Sequence, residues 1–229
     1  MGRSLPVVRI IMATYNRVRT IGRAVNSVLC QTYKNIELII VDDGSTDNTA
    51  QIAGSLPVRM IHHSQNMGKG AALRTALKTA HLWGYDWLLT LDGDGQHPPR
   101  YIPEFFNTIE LNNSDLILGD RQSRFKNMPI HRMLSNGMTS VILSLCAGNS
   151  RIHDSQCGFR AVRLNCYQDY FYKENGFQFE SEMILRFGKN NCSFAEIPIQ
   201  TSYEQETSSI HLVYDTYKFI KLVINSFFW

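Results

Sequence analysis

Short apolar runs alternate with amphipathic segments over the first 120 residues of the chain. The runs that predict strands lie at residues 7–13, 36–41, 58–61, 87–90 and 116–120. Between them, apolar side chains recur with a helical period after Thr20, Ser45 and Gly68, and again over residues 103–111. Alternating strands and helices predict an α/β fold, in which a mostly parallel sheet carries helices on both faces.

The second half of the chain has a different pattern. Residues 129–147 and 179–187 are amphipathic and predict two further helices. Residues 154–162 begin polar and then become extended, and residues 194–199 predict a last strand. Because no repeat, low-complexity segment or linker separates the two halves, a single domain is expected.

Polar residues follow several of the predicted strands. Those at strand ends are Asp42, Asp43, Asp92, Asp94, Asp120 and Arg121. In open α/β sheets, ligands bind beyond the carboxyl ends of the strands. The topology therefore predicts one site that contains these residues, independently of any family.

Two of these carboxylates, Asp92 and Asp94, flank Gly93. In an extended chain, residues i and i+2 point the same way, and the glycine leaves room for a large group nearby. Converging carboxylate oxygens suit a hard divalent cation such as Mg²⁺ or Mn²⁺. The alternative is an ordinary polar turn after a strand.

Composition narrows the function classes. Of 229 residues, 44% are hydrophobic and 19% are charged, which is typical of a globular protein with a substantial core. The net charge of +3 is too small to indicate nucleic acid binding. The five cysteines include no CxxC pair, which favours reduced thiols in a cytosolic setting and argues against a disulfide framework or a zinc site. The sequence predicts neither a signal peptide in its first nine residues nor a transmembrane helix.

Residues 211–229 predict an amphipathic helix. The polar residues that recur at helical spacing are His211, Asp215, Lys218 and Lys221. Apolar and aromatic side chains, up to Trp229 at the end, cover most of the remaining surface. Such a helix could lie in a membrane interface, with its aromatic and lysine side chains at headgroup level, or mediate self-association. Packing against the domain is the alternative.

Several motifs together resemble inverting glycosyltransferase family 2. Residues 7–16, VDDGSTD at 41–47 and DGD at 92–94 resemble the nucleotide-sugar half of that family. The narrower resemblance, to polyprenyl-phosphate glycosyltransferases such as dolichyl-phosphate mannose synthases, lies in NMGKG at 66–70, DGDGQHPP at 92–99, DSQCGFR at 154–160 and the segments 196–203 and 208–210.

The resemblance implies a GT-A (Rossmann-like) fold in residues 1–210, followed by the C-terminal amphipathic helix at 211–229. Residues 1–121 would form the nucleotide-sugar-binding half and residues 122–210 the acceptor half.

The resemblance also assigns roles to individual residues. The nucleotide-sugar contacts are Ala13, Tyr15, Asn16, Asp42, Asp43, Lys69, Gly70, Asp92 and Gly93. The ligands of Mg²⁺ or Mn²⁺ are Asp92, Asp94 and Gln96. The catalytic residues are Asp94, Arg121, Asp154 and Arg160. The contacts with an acceptor phosphate are Arg121, Arg132, Arg160 and Ser208, where a guanidinium can donate paired hydrogen bonds to phosphate oxygens.

Some charged residues have two interpretations. His97 is either a metal ligand or a residue that shapes the turn, and Arg132 is either a phosphate contact or a solvated charge on a helix. Glu180 and Glu182 lie on different faces of one helix, so one is expected to reach the site while the other is solvated. His62 and His63 lack a third ligand at metal spacing, which favours a surface or core role.

The resemblance implies inverting transfer of mannose or glucose, from GDP-mannose or UDP-glucose, to a polyprenyl phosphate at the cytosolic face of a membrane. A lipid phosphate is already anionic near pH 7, so no strong general base is needed. If the acceptor is instead a glycan hydroxyl, Asp154 becomes the candidate base. A third interpretation is a nucleotide-sugar-binding subunit without turnover.

Overall fold

The apolar runs form the strands of a single sheet. The computed structural model describes residues 8–31, 35–92, 97–111, 113–121, 130–148, 152–168, 172–200 and 212–229. Its strands are β1 (Val8–Thr14), β2 (Ile36–Asp42), β3 (Arg59–His62), β4 (Trp87–Asp92), β5 (Leu116–Asp120), β6 (Arg160–Arg163) and β7 (Phe194–Pro198). They lie in the order β3-β2-β1-β4-β6-β5-β7, and β6 runs antiparallel to both of its neighbours.

Helices cover both faces of this sheet. They are α1 (Ile21–Leu29), α2 (Thr49–Gly54), α3 (Lys69–Leu82), α4 (Ile102–Leu111), α5 (Ile130–Cys146), α6 (Gln178–Lys189) and α7 (Leu212–Ser226). Two short 3₁₀ turns lie at Pro99–Tyr101 and Leu164–Cys166. The predicted α/β alternation is confirmed, with element ends that differ by a few residues from the expected ones.

The central strands are apolar on both faces because each face has its own core. Along β2, Ile39 and Val41 pack into the cluster that includes α3 and α6, whereas Leu38 and Ile40 pack into the cluster that includes α1 and α4. Successive strand residues point to opposite faces, so a continuous apolar run fills both clusters.

The antiparallel strand β6 is the main departure from a simple parallel sheet. It lies between β4 and β5. Arg160 of β6 is paired with Thr90 of β4 on one side and with Leu118 of β5 on the other. The segment that leads into β6 therefore arrives at the carboxyl ends of β4 and β5. This arrangement places residues 154–159 beside Asp92 and Arg121.

Helix α7 packs on α6 and α5 through one face and leaves the other face exposed. Leu222 is buried, whereas Tyr217, Ile220 and Ile224 are exposed. Within the described parts of the chain, no helix combines the length and the apolar character that crossing a membrane requires.

Candidate active site

The carboxyl edge of the parallel strands collects acidic side chains, as the topology predicted. Asp42 ends β2, Asp92 ends β4 and Asp120 ends β5, and Asp43 follows β2 directly. The strands β1, β2 and β4 end at the same level of the sheet. Thr14 of β1 is paired with Asp42, and Ala13 of β1 is paired with Asp92. The site is built on this edge.

Asp92 is paired with a lysine from the start of α3. Lys69 Nζ lies 2.8 Å from Asp92 Oδ1 and 3.3 Å from Glu180 Oε1 on α6. The lysine thus bridges two carboxylates that come from opposite halves of the chain. The sequence identified Lys69 as a helix-terminal cation, but Glu180 as its partner emerges only from the fold.

This cluster fixes the charge of its members. Burial would raise the pKa of Asp92, but the charges of Lys69 and Arg121 hold it well below its usual range. Burial would lower the pKa of Lys69, but Asp92 and Glu180 raise it above its usual value. At neutral pH the site therefore contains an ionised Asp92 beside a protonated Lys69.

Two glycines allow α3 to begin where it does. Gly68 has φ +99°, and a Cβ there would lie 2.5 Å from the carbonyl oxygen of Asn175. A Cβ on Gly70 would lie 2.6 Å from the carbonyl oxygen of Gly176. The missing side chains let the first turn of α3 approach the loop before α6, and this approach places Lys69 beside Glu180.

A second cation, Arg121, follows β5 and is held by a buried carboxylate. Its Nε donates to Asp154 Oδ2 at 2.6 Å and its Nη2 donates to Asp154 Oδ1 at 3.0 Å. Asp154 is completely buried, and its backbone N–H donates to Glu196 on β7. This paired arrangement fixes the plane of the guanidinium at the rim of the site. The sequence predicted both residues here but not their pairing.

The segment before β6 packs closely against Asp92. A Cβ on Gly158 would lie 2.4 Å from Asp92 Oδ2, so only glycine leaves room for the carboxylate. His97 is buried, and its Nδ1 accepts the backbone N–H of Asp92 at 3.2 Å. Of the two interpretations of His97, the structure supports the one in which it shapes the turn.

Asp42 and Asp43, both predicted to contact a nucleotide, have internal partners in this structure. Asp42 is completely buried and binds Ser45 and His62. Asp43 is 3% exposed, and its carboxylate accepts hydrogen bonds from the backbone N–H groups of Met67 and Gly68. In this structure the two carboxylates hold the loops that border the site.

Two histidines at the end of β3, His62 and His63, are partners of Asp42 and Asp43 that were not expected from the sequence. His62 Nδ1 lies 2.6 Å from Asp42 Oδ2, and His63 Nδ1 lies 2.7 Å from Asp43 Oδ1. His63 Nε2 also lies 3.0 Å from Thr75 Oγ1. The adjacent pairs DD and HH at the ends of two neighbouring parallel strands were the available signal, because parallel register brings them opposite one another.

The loop after β1 remains open to solvent. Tyr15 is 39% exposed. Asn16 has φ +49°, and its side chain is hydrogen-bonded to Thr46 in the loop after β2. Ala13, at the end of β1, is half-buried. The ring of Tyr15 is therefore accessible to a nucleotide, as its predicted role requires.

Arg160 does not face the site, which contradicts its predicted contact with an acceptor phosphate. It is 1% exposed, and its guanidinium donates to the backbone carbonyls of Cys157, Glu180 and Ser155 at 2.7–2.8 Å. These bonds tie the loop before β6 to the first turn of α6. Arg160 thus positions the segments that carry Asp154, Gly158 and Glu180.

The prediction that one of Glu180 and Glu182 is solvated is wrong, because both are buried, and Glu182 has partners away from Lys69. It is 1% exposed rather than solvated, and it binds Arg186 and the backbone N–H groups of Lys173 and Glu174. Several predicted site residues lie outside the described residues, namely Gly93, Asp94, Gln96 and Ser208. Arg132 lies on α5, in a stretch whose side chains the structure does not describe.

Comparisons with known proteins agree with this architecture. The sequence matches the family described as Glycosyl transferase family 2 over residues 9–171. It is 33% identical over 221 residues to the UDP-N-acetylglucosamine–dolichyl-phosphate N-acetylglucosaminyltransferase of Methanococcus voltae, with 87% of each chain covered. It is 26% identical to the polyprenol monophosphomannose synthase of Mycolicibacterium smegmatis, with 83% of this chain and 75% of the relative covered.

The fold has a close counterpart among solved structures. Glucosyl-3-phosphoglycerate synthase from Mycobacterium tuberculosis, solved with Mn²⁺, UDP-glucose and phosphoglyceric acid, superposes with a TM-score of 0.75 at 16% identity. The match covers 96% of this chain and 79% of that chain. This likeness confirms the predicted GT-A architecture.

Proposed function

The chain belongs to glycosyltransferase family 2, and we propose that it transfers a sugar from a nucleotide-diphosphate sugar to a polyprenyl phosphate, with inversion at the anomeric carbon. The observation that carries the proposal is the pair of fixed cations near Asp92: Lys69 contacts its carboxylate, and Arg121, held by Asp154, also lowers its pKa. The names of both relatives refer to a sugar on a polyprenyl phosphate, N-acetylglucosamine in one and mannose in the other. We therefore propose a single acceptor class, polyprenyl phosphate. For the sugar we propose a broader class, a hexose or an N-acetylhexosamine.

The charges of the site suit a reaction between two anions. The donor carries a diphosphate and the acceptor a phosphate, so the protein must offset their mutual repulsion. Lys69 provides a compact charge at the start of α3, where helix N–H groups also favour anions. Arg121 provides planar donors that match phosphate oxygens. We assign Lys69 to the donor diphosphate and Arg121 to the acceptor phosphate.

The proposed reaction is a single displacement. An acceptor phosphate oxygen forms a bond to the anomeric carbon, while the bond from that carbon to the diphosphate oxygen breaks. The nucleoside diphosphate leaves with the bonding electron pair. Because the phosphate is already ionised, no residue has to remove a proton, and the main task of the protein is alignment. Asp154 is consistent with this, since its carboxylate is completely buried and bound to Arg121.

A divalent cation, Mg²⁺ or Mn²⁺, fits the donor set of the site. Asp92 offers a carboxylate that stays ionised, and the carboxylate lies where a side chain on Gly158 would otherwise fill the space. We propose that Asp92, Asp94 and Gln96 hold this cation. When bound, it would neutralise charge that develops on the leaving diphosphate.

The proposal is tested by acceptor choice with a labelled nucleotide sugar and Mg²⁺ or Mn²⁺. We expect a lipid product with polyprenyl phosphate and none with the corresponding polyprenol, which lacks the phosphate. We also expect Asp94→Asn to lower transfer strongly at saturating metal. A thermal-shift series with GDP and UDP identifies the donor base, because ligands that bind only the folded state raise Tm.

Other results would favour the alternatives. Donor consumption that needs a glycan hydroxyl and ignores polyprenyl phosphate would replace the proposed acceptor. Metal-dependent binding of nucleotide sugar with no product from any acceptor would indicate a binding subunit. Unchanged transfer by Asp94→Asn would remove its proposed metal role.

We further propose that α7 brings the enzyme to the membrane that holds its acceptor. Its outer face and the two residues that follow the helix form a stripe of exposed apolar and aromatic side chains: Tyr214, Tyr217, Ile220, Ile224, Phe227 and Phe228. The neighbouring helix α5 adds the exposed residues Met138, Val141 and Leu145. Lys218 lies over the ring of Tyr214, and Lys221 is exposed beside it, which suits an anionic headgroup layer.

The membrane proposal predicts binding to lipid vesicles. The protein should co-sediment with phosphatidylcholine vesicles that contain phosphatidylglycerol, and Ile224→Asp should remove most of this binding. Asn225→Asp is the matched control, because it places the same charge on the adjacent exposed position, next to the apolar stripe rather than in it. Concentration-dependent self-association without vesicle binding would instead assign the stripe to a contact between copies of the chain.

A further inference from the structure

Two cysteines and a carboxylate meet at the edge of the sheet opposite the candidate active site. One ligating atom from each of Asp115, Cys166 and Cys192 lies within 4.8 Å of the other two. Asp115 precedes β5, Cys166 ends the 3₁₀ turn after β6, and Cys192 precedes β7. The three strands are neighbours, and β6 is antiparallel to β5, so these three segments arrive at the same edge.

This cluster is separate from the residues assigned to catalysis. Asp115 precedes the first residue of β5, whereas Asp120 ends that strand at the active-site edge. Five residues of extended chain correspond to about 16 Å. The proposed transfer reaction uses neither thiol, so the cluster requires its own explanation.

The carboxylate is oriented by its neighbours. The backbone N–H and the hydroxyl of Ser193 donate to Asp115 Oδ2 at 2.9 and 3.0 Å, and Arg163 Nε lies 3.3 Å from Oδ1. Cys192 is buried and Cys166 is half-buried, so the group is reached from one side.

We propose that Asp115, Cys166 and Cys192 form a binding site for Zn²⁺ or a similar thiophilic divalent cation. Zinc binds thiolate sulfur at about 2.3 Å and carboxylate oxygen at about 2.0–2.2 Å in tetrahedral geometry. Two sulfur ligands of one zinc ion are then about 3.8 Å apart. This distance is compatible with the cluster, whose ligating atoms lie within 4.8 Å of one another. Water would complete the coordination, and binding would release the two thiol protons.

The sequence pattern pointed away from zinc for an identifiable reason. Cys166 and Cys192 are separated by all of α6, and neither belongs to a CxxC pair. Zinc motifs are identified by short spacing between ligands on one turn, whereas here three separate loops supply one ligand each. Metal binding would join these loops, so it should raise thermal stability.

The test is a titration of the reduced, metal-free protein with Co²⁺, which serves as a spectroscopic substitute for Zn²⁺. We expect thiolate-to-cobalt absorption that Cys166→Ser and Cys192→Ser each remove and that Zn²⁺ displaces. Cys30→Ser is the control, because Cys30 is an exposed thiol outside the cluster. Asp115→Asn should weaken Co²⁺ binding while retaining part of the absorption.

A second measurement needs no variant, in case the loss of buried Cys192 prevents folding. In the wild-type protein, Zn²⁺ should protect Cys166 from alkylation by iodoacetamide and leave Cys30 reactive, as read by mass spectrometry. Zn²⁺ should also raise Tm. Absence of thiolate-to-cobalt absorption, absorption that survives Cys166→Ser, or equal alkylation of Cys166 with and without Zn²⁺ would each overturn the proposal.

Discussion

Replacing Lys69 by methionine is expected to lower kcat/KM for sugar transfer by about 10²–10³-fold, the loss typical of removing one fixed donor to developing charge. Lys69 lies between Asp92 and Glu180, and methionine keeps much of its length while removing the charge. The variant should lose transition-state stabilisation at the diphosphate, so kcat should fall and not only the affinity for the donor. Steady-state kinetics at varied donor concentration measure both parameters.

The pH dependence separates this role from a general loss of structure. In the folded protein Lys69 holds the pKa of Asp92 well below its usual range, although burial acts in the opposite direction. Without Lys69, the lysine charge that lowers the pKa of Asp92 is lost, so this pKa rises. The acid limb of the kcat/KM profile should therefore move to higher pH in Lys69→Met, because Asp92 must be ionised to hold the proposed cation.

A control on the same helix isolates the effect. Lys78 is exposed on α3, and Lys78→Met makes the same chemical change away from the site. It should leave both the rate and the pH profile nearly unchanged. If Lys69→Met retained the wild-type rate and acid limb, Lys69 would act only in the structure of the helix start, and the donor role assigned to it would be wrong.

The location of the site can be predicted from the sequence because it depends on chain direction alone. An apolar run that ends in a carboxylate defines both a strand and its carboxyl end, and parallel strands place these ends at one edge. For this reason the positions of Asp92 and Arg121 at the site follow from the order of apolar and polar residues. The same argument identifies the edge to which Asp42 and Asp43 belong.

The partners of these charges cannot be predicted in the same way. Lys69 and Glu180 are 111 residues apart, and no local pattern relates them. The family resemblance assigned Arg160 to the acceptor phosphate, a role that requires an exposed guanidinium. Arg160 is buried instead, since three backbone carbonyls from the loop before β6 and from α6 require donors. Such contacts depend on which loops pack together in the fold, and the hydrophobic periodicity of the sequence does not specify this packing.

The ion pair of Arg121 with Asp154 leads to the second large expected effect. Asp154→Asn should lower the free energy of unfolding by about 3 kcal/mol, the cost typical of leaving one member of a buried pair without its counter-charge. Asp154 is completely buried, and its two oxygens accept from Arg121 Nε, Arg121 Nη2 and the backbone of Gln156. In asparagine, an NH₂ group replaces one of the two carboxylate oxygens, and this donor then faces an N–H donor of Arg121 or Gln156. Urea denaturation followed by circular dichroism measures the change.

Glu37→Gln is the matched control for this measurement. Glu37 also pairs with arginine, namely Arg9 and Arg59, but its side chain is 21% exposed and that of Arg59 is 61% exposed. Solvent screens such a pair, so the substitution should cost less than about 1 kcal/mol. A similar loss in both variants would mean that burial of Asp154 has no special importance.

Kinetics then distinguish support of the fold from support of the acceptor site. In the proposed reaction Arg121 contacts the acceptor phosphate only while Asp154 fixes its plane, so Asp154→Asn should raise KM for polyprenyl phosphate more than KM for the nucleotide sugar. Arg121→Lys keeps the charge but loses the paired geometry, and it should produce the same selective rise. Because the two residues act through one interaction, the double variant should be little worse than either single variant. Additive losses in the double variant would show that Arg121 and Asp154 act independently, and the assignment of Asp154 as the residue that positions Arg121 would then fail.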